Sequence, residues 1–133
     1  MRVDMKIAKA LCVVFFMVMC FQYAWAHHST ANFNFDDKAR VIIKGKATYF
    51  SFTNPHSFLR VNVEQQDGSV KEYTIFMTAR AVLQRYGWRP NIIQFGDIVE
   101  IEGSPDFKKP NELYMQRIVF ADGEEWRRDS VAE

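Results

Sequence analysis

Apolar and polar residues alternate along most of the chain after residue 39, and this period of two predicts β-strands. The first such stretch covers residues 40–52. Its apolar positions are Val41, Ile43, Ala47 and Tyr49, and its polar positions are Lys44, Lys46 and Thr48. Gly45, in the middle of the stretch, predicts a bulge or a tight bend of the kind that a barrel strand needs. The alternation places Tyr49 on the same side of the strand as Ile43 and Ala47.

Four further strands and one helix follow, separated by turn signals. The strands are predicted at residues 57–64, 70–76, 98–103 and 112–120, and the helix at residues 79–86. In the second strand one side carries Leu59, Val61 and Val63, and the other carries Arg60, Asn62 and Glu64. Thr78 is the predicted N-cap of the helix, and Gly87 stands where a left-handed residue ends it. On the fourth strand Glu100 and Glu102 share one side, which we expect to face solvent.

The resulting order is β-β-β-α-β-β, with the helix between the third and fourth strands. This order predicts an all-β fold with one short helix, an OB-fold-like five-stranded barrel preceded by a signal peptide and an extra N-terminal strand. A six-stranded sandwich fits the number of strands but does not explain the position of the helix. The predicted organisation is a signal peptide (1–26), an N-terminal arm (27–38), the barrel (39–123) and a C-terminal tail (124–133).

The first 26 residues carry the pattern of a secretory signal peptide. Arg2, Lys6 and Lys9 precede an uncharged apolar run, and Ala24-Trp25-Ala26 is a small-x-small cleavage site. A permanent membrane anchor is the alternative, but it needs about 20 apolar residues and this run stops at Gln22. We therefore expect cleavage after Ala26 and a periplasmic or secreted protein, with no membrane attachment after cleavage.

Cleavage changes the chemistry that is available to the mature chain. It removes both cysteines, Cys12 and Cys20, so neither a disulfide nor a thiolate metal site is expected. It also removes three of the 17 Lys and Arg residues and one of the 16 Asp and Glu residues, which leaves a formal net charge of −1. A near-neutral chain lacks the basic surface that nucleic-acid binding requires, so we expect no nucleic-acid partner.

Several short motifs occur in a characteristic order along the mature chain. They are His27-His28-Ser29, Thr53-Asn54-Pro55-His56, Gly87-Trp88, Gly96-Asp97-x-Val99-x-Ile101-x-Gly103 and Asp122-Gly123. Together they resemble a family of small exported bacterial proteins that is classed only as a domain of unknown function. The resemblance implies an exported OB-fold-like protein and implies no reaction. This chain has Phe52 before the Thr-Asn-Pro-His turn, at the position where the family pattern leads us to expect a tryptophan or a similar aromatic residue.

The three histidines suggest a metal site. Cleavage after Ala26 would make His27 the first residue, so that its α-amine and its ring could chelate one ion, with His28 or His56 completing a nitrogen set for copper or zinc. If residues 31–35 fold back on the first strand, His27 and His28 reach the same end of the barrel as His56. The alternative is that the Asn-Pro-His turn is structural or binds a protein.

The second candidate site is the ligand face of an OB-fold, which the first loop and the loop between the fourth and fifth strands border. The residues predicted to contact a ligand there are Phe52, Asn54, Phe107, Lys108 and Lys109. The aromatic residues beside the first turn offer stacking partners, with the barrel core as their alternative location. The chain lacks the sequence patterns of a hydrolase. The sequence therefore favours a binding module, for a metal ion or an exported partner protein, over an enzyme, and leaves the oligomeric state open.

Overall fold

The computed structural model describes residues 30–128. The chain divides into two compact units, residues 1–31 and residues 32–133, and the second unit is the one described below. Its elements are a 3-10 helix (Asp37–Ala39), β1 (Val41–Ser51), β2 (Phe58–Glu64), β3 (Val70–Phe76), α1 (Arg80–Arg85), β4 (Ile98–Pro105), β5 (Glu112–Val119) and β6 (Glu125–Arg127). Within residues 30–128, no helix has the length and hydropathy needed to cross a membrane.

The first five strands close into a barrel. β1 pairs antiparallel with β4 through its first half and with β2 through its second half. β2 pairs antiparallel with β3, and β4 with β5, and a parallel pairing of β3 with β5 closes the ring. This ring order, with α1 between β3 and β4, is that of an OB-fold. The predicted all-β fold with one short helix is confirmed.

The additional strand lies at the C-terminal end of the domain. β6 extends the sheet by pairing antiparallel with β5, at Trp126 opposite Ile118. The described part of the N-terminal arm forms a bridge between Phe33 and Asp106, where the Asn34 N–H donates to the Pro105 carbonyl and the Phe107 N–H donates to the Asn32 carbonyl. The predicted hairpin of residues 31–35 on the first strand is wrong, because the arm bridges Asp106 instead and a 3-10 helix at Asp37–Ala39 separates it from β1.

The barrel interior holds the alternating apolar side chains that the sequence pattern indicates. The fully buried members are Leu59, Val61, Ile75, Met77, Leu83, Trp88, Val99, Ile101, Leu113, Met115 and Ile118. Trp88 follows α1 and contacts the rings of Phe50, Phe120 and Trp126, with centroids 5.5–6.1 Å apart. Burial of aromatic rings of this size removes a large apolar area from water and stabilises this part of the core.

β1 pairs with two different strands along its length, and two local features of its backbone make this possible. At Gly45 a Cβ atom would lie 2.3 Å from the carbonyl oxygen of Asn62, so only glycine permits this approach of β2. At Thr48 the register with β2 shifts, because Ala47 lies opposite Val61 and Tyr49 lies opposite Arg60. The predicted special role of Gly45 is therefore a close approach of two strands, and the bulge lies three residues further on.

The bulge reverses the alternation of the sequence pattern. Tyr49, predicted on the inner side with Ala47, is 53% exposed on the outer surface. Phe50 instead points inward, where its ring centroid lies 6.1 Å from that of Trp88. A β-bulge inserts one unpaired residue, so every side chain after it changes face. The prediction for Tyr49 is wrong for this reason.

We predict that Gly45→Ala destabilises the protein by about 1–3 kcal/mol, since the added methyl group must displace backbone of β2. Denaturant unfolding measures the loss. Lys44→Ala, one residue earlier on the exposed side of β1, is the control and should change stability by less than about 0.5 kcal/mol. Equal or higher stability of Gly45→Ala would contradict the close approach, because an unhindered Gly-to-Ala change stabilises.

Candidate functional site

A row of aromatic side chains crosses the outer surface of β1, β2 and β3. We call the surface formed by Tyr49, Phe58, Phe76 and Arg60 the aromatic face. The rings of Tyr49 and Phe58 lie 5.5 Å apart between centroids, and Phe76 is the cross-strand partner of Phe58. The Arg60 guanidinium lies 5.9 Å from the Tyr49 ring centroid and 6.0 Å from that of Phe58. These side chains combine flat apolar surface with a cation, as in surfaces that stack planar or ring-shaped ligands.

The strand pattern explains why these residues share one surface. Phe58 and Arg60 stand on the outer side of β2 because Leu59 and Val61 occupy the core. Tyr49 joins them only through the bulge in β1, which places it directly opposite Arg60. Opposed side chains on neighbouring strands lie about 5 Å apart at Cβ, so the rings and the guanidinium form a continuous surface.

The N-terminal arm continues the aromatic row on the far side of β3. The Phe33 ring lies 5.8 Å from Phe76 and 5.5 Å from Tyr114, and Phe35 lies 5.6 Å from Tyr114. The Arg128 guanidinium lies over the rings of both Phe35 and Tyr114. Burial raises the pKa of Tyr114, and the Arg128 charge opposes that shift. The part of the arm that the structure describes, residues 30–38, therefore packs over Tyr114 of β5 and Phe76 of β3.

The first loop, residues 53–57, is fastened to the start of α1. The Asn54 side chain accepts a hydrogen bond from the Ala81 N–H at 3.2 Å, and the Thr53 carbonyl accepts one from the Arg80 N–H at 3.1 Å. The N-cap residue of α1 is Ala79, which makes no side-chain cap bond, so the prediction of Thr78 as the N-cap is wrong. Asn54 supplies the acceptor from 27 residues away, so its carboxamide, predicted to contact a ligand, caps the helix here.

The two other predicted residues of this region lie on different surfaces. Phe52 packs against the core, 5.7 Å from the Phe50 ring, and the Arg80 guanidinium lies over it. His56 is exposed in the first loop, after the cis Asn54–Pro55 bond. Among the residues that the structure describes, no group of three or more His, Cys, Asp or Glu side chains is placed to hold a metal ion. His27 and His28 lie outside those residues, so the metal hypothesis stays a prediction.

The loop between β4 and β5 holds the remaining predicted residues. Phe107 is 67% exposed, and Lys108 and Lys109 are also exposed. A cavity of about 210 Å³ lies among these residues and the side chains of Asn32, Asp106 and Glu112. Lys109 donates a hydrogen bond to Glu112 at 2.8 Å, and this bond raises its pKa. The loop between β4 and β5 therefore contacts the arm, whereas the first loop contacts the start of α1.

The outer surface of β4 and β5 is occupied by ion pairs. Glu102 pairs with Arg40 at 2.9 Å, and Glu100 pairs with Arg117 at 3.1 Å. Arg117 also pairs with Glu125, whose pKa falls because of this hydrogen bond and the one from Arg127. Glu100 and Glu102 are outward-facing, as predicted, and each is neutralised by an arginine.

The sequence places Tyr49 and Phe58 beside the first turn as stacking candidates, but it does not indicate that they share one surface with Phe76 and Arg60. Arg60 was placed correctly on the outer side of its strand, but its proximity to two rings depends on the register between strands. Phe76 lies opposite Phe58 only because β2 and β3 pair from Glu64 and Val70 onward. Two adjacent aromatic residues, Tyr49 and Phe50, interrupt strict alternation, and that interruption is the one signal of the bulge in the sequence.

Comparison with known proteins gives a family match. The family described as "Family of unknown function (DUF6152)" matches residues 16–111, which is more than half of the chain. No curated protein sequence matches the chain.

Several solved structures share the barrel at low identity. The mitochondrial single-stranded DNA-binding protein Rim1 of S. cerevisiae is 14% identical, with a TM-score of 0.48, over 61% of this chain and 91% of that chain. The N-terminal domain of PriB from Thermoanaerobacter tencongensis is 17% identical, with a TM-score of 0.44, over 63% of this chain and 97% of that chain. The small single-stranded DNA-binding protein from Streptomyces coelicolor is 14% identical, with a TM-score of 0.38, over 59% of this chain and 87% of that chain. The names of the first and third state that those proteins bind single-stranded DNA, and no property of them is carried over to this chain.

We predict that Asn54→Ala destabilises the protein by about 0.5–2 kcal/mol, because α1 loses the acceptor for an N-terminal N–H. Urea unfolding measures the loss, and hydrogen exchange of the Ala81 amide should accelerate. Asn54→Asp keeps the acceptor and should retain most of the stability. Thr78→Ala is the matched control and should have little effect. A larger loss for Thr78→Ala than for Asn54→Ala would contradict the capping role.

Proposed function

The chain belongs to the DUF6152 family of unknown function, and we propose that it is an exported binding module whose ligand lies across the aromatic face. The observation that carries this proposal is the exposed Tyr49 ring, held beside Phe58 under the Arg60 guanidinium. A large apolar ring that is half exposed on a strand surface gains free energy when a ligand covers it.

The location of the aromatic face and the rigidity of its strands favour it as the binding surface over the two predicted loops. It lies over β2 and β3, where OB-folds bind oligonucleotides and oligosaccharides. It rests on paired strands, which hold side chains more rigidly than loops do. In the first loop, by contrast, the Asn54 carboxamide is engaged by α1, and in the loop after β4 Lys109 is engaged by Glu112.

Export is the second element of the proposal, and the sequence of residues 1–26 supports it. Arg2, Lys6 and Lys9 before an apolar run, with Ala24-Trp25-Ala26 after it, form a secretory signal. Cleavage would leave a chain without cysteine, whose barrel is held together by the packing of apolar side chains and without a disulfide. We infer a periplasmic or secreted location for the binding module.

We predict that Tyr49→Ala weakens ligand binding about tenfold, the factor that corresponds to about 1.4 kcal/mol and is typical of a lost stacking partner. The probes are neutral and acidic tetrasaccharides and single-stranded oligothymidylate, titrated into isotopically labelled protein. Chemical-shift changes should concentrate at Tyr49, Phe58 and Arg60. Ile42→Ala is the control, since Ile42 is 62% exposed on the outer side of the other half of β1.

Two results would contradict the proposed function. One is that binding moves the signals of Phe107 and Lys108 and leaves those of β1 and β2 unchanged. The other is that Tyr49→Ala and Ile42→Ala weaken binding equally, which would show that the aromatic face has no special role.

We also propose copper or zinc binding at a separate site, which the positions of the three histidines in the sequence support. It predicts one-to-one binding of Cu(II) or Zn(II) to protein that begins at His27, measured by calorimetry. Binding should be lost when one glycine precedes His27, because the α-amine is a ligand, and in His56→Ala. Equally weak binding by all three proteins would contradict it.

A further inference from the structure

A groove opens in the surface where β1 passes from β4 to β2. Lys46 is the last residue of β1 that pairs with β4 and the first that pairs with β2. On the far side of this point β2 continues to Glu64 without a partner in β1. The space has a volume of about 250 Å³ and is lined by Lys44, Gly45, Lys46, Asn62, Glu64 and Ile98. We call it the lysine groove.

The two lysines give this groove a net positive charge, since Glu64 is the one carboxylate among its lining residues. Lys44 and Lys46 are exposed, and within residues 30–128 neither ammonium group forms an ion pair with a carboxylate. Glu100, the cross-strand partner of Lys44, is engaged by Arg117 at 3.1 Å. Residues two apart on a strand point the same way about 6.6 Å apart, so both ammonium groups can reach one anion. A concave site with a net positive charge concentrates anions.

The groove is continuous with the aromatic face. Lys46 and Asn62 form the cross-strand pair next to the bulge, and Tyr49 and Arg60 form the pair after it. The outer surface of β2 from Phe58 to Glu64 spans about 20 Å at about 3.3 Å per residue. The groove alone is smaller than the ~300–1,000 Å³ of sites that enclose a whole ligand. It therefore suits one charged unit of an extended ligand whose other units lie over the rings.

The carboxylates along this strip distinguish between two kinds of extended anion. Glu64 lines the groove, and Glu72 lies 4.0 Å from Arg60 across the aromatic face. A nucleic-acid strand carries one negative charge per nucleotide, so its phosphates would approach these carboxylates. Sugar hydroxyls instead donate hydrogen bonds to carboxylates and accept them from Asn62 and Arg60. An oligosaccharide with intermittent negative charge satisfies both the lysines and the glutamates.

We propose that the lysine groove is the anion subsite of the aromatic face and that the ligand is an acidic oligosaccharide. A uronate carboxylate lies between the Lys44 and Lys46 ammonium groups, and a neighbouring sugar ring lies against Tyr49 and Phe58. This inference rests on the proposed function, because it assigns the chemistry of the ligand that the aromatic face binds.

The test compares acidic sugars with their uncharged methyl esters. The probes are four-unit fragments of polygalacturonate, alginate and hyaluronan, each with its methyl ester, and single-stranded oligothymidylate, all titrated calorimetrically into the purified protein. At least one acid should bind about tenfold more tightly than its ester, the effect of one charge-assisted hydrogen bond. The double variant Lys44→Gln/Lys46→Gln should reduce the affinity for the acid to that for the ester and leave the ester unaffected.

A charge-matched control separates the groove from general surface charge. Lys38→Gln/Arg89→Gln removes two exposed positive charges elsewhere and should leave the preference for the acid intact. Equal affinity for acid and ester, or equal effects of the two double variants, overturns the anion subsite. If Tyr49→Ala still weakens binding in that case, the proposed function stands without it.

Three further outcomes distinguish the inference from the proposed function. Binding of oligothymidylate but of none of the sugars overturns the assignment to acidic oligosaccharides while the aromatic face remains the binding surface. Sugar binding that Tyr49→Ala leaves unchanged overturns the proposed function itself. The absence of binding to every sugar probe overturns the inference.

Discussion

The double pairing of β1 is the constraint on which the rest of the structure depends. One strand must pair with β4 in its first half and with β2 in its second half, or the barrel does not close. Gly45 permits the close approach of β2, and the bulge at Thr48 adjusts the register. Both features also shape the surface. The divergence of β2 and β4 at Lys46 opens the lysine groove, and the bulge turns Tyr49 outward to form the aromatic face.

The core and the outer surface therefore depend on the same local event. Once Tyr49 turns outward, Phe50 turns inward and contacts Trp88, which is fully buried behind α1. The first loop, which follows, is then held by Asn54 at the start of α1. A loop that is tied to a helix supports the end of the barrel, and the rigid strands beside it present the side chains that we assign to the ligand.

Most of the fold follows from the sequence, and most of the candidate site does not. Period-two alternation gives five strands with their bounds close to those observed, and the helix between the third and fourth strands identifies the barrel order. The sequence does not indicate on which face of β1 the Tyr49 side chain lies, because one unpaired residue reverses the face of every residue after it. Nor does the tertiary cap from Asn54 follow, since a hydrogen bond between residues 27 positions apart leaves no local pattern. The arm was expected on β1 but lies against residues 105–107, because no local pattern in the sequence indicates that long-range pairing.

The central claim is that ligand rings lie against the outer surface of β1 and β2, and nuclear Overhauser effects between protein and ligand test it most directly. The measurement uses a complex of the protein with a bound tetrasaccharide. The account predicts contacts from sugar ring protons to the ring protons of Tyr49 and Phe58. Contacts only to Phe107 in the loop after β4, or only to Phe95, which is 82% exposed elsewhere on the surface, would contradict it.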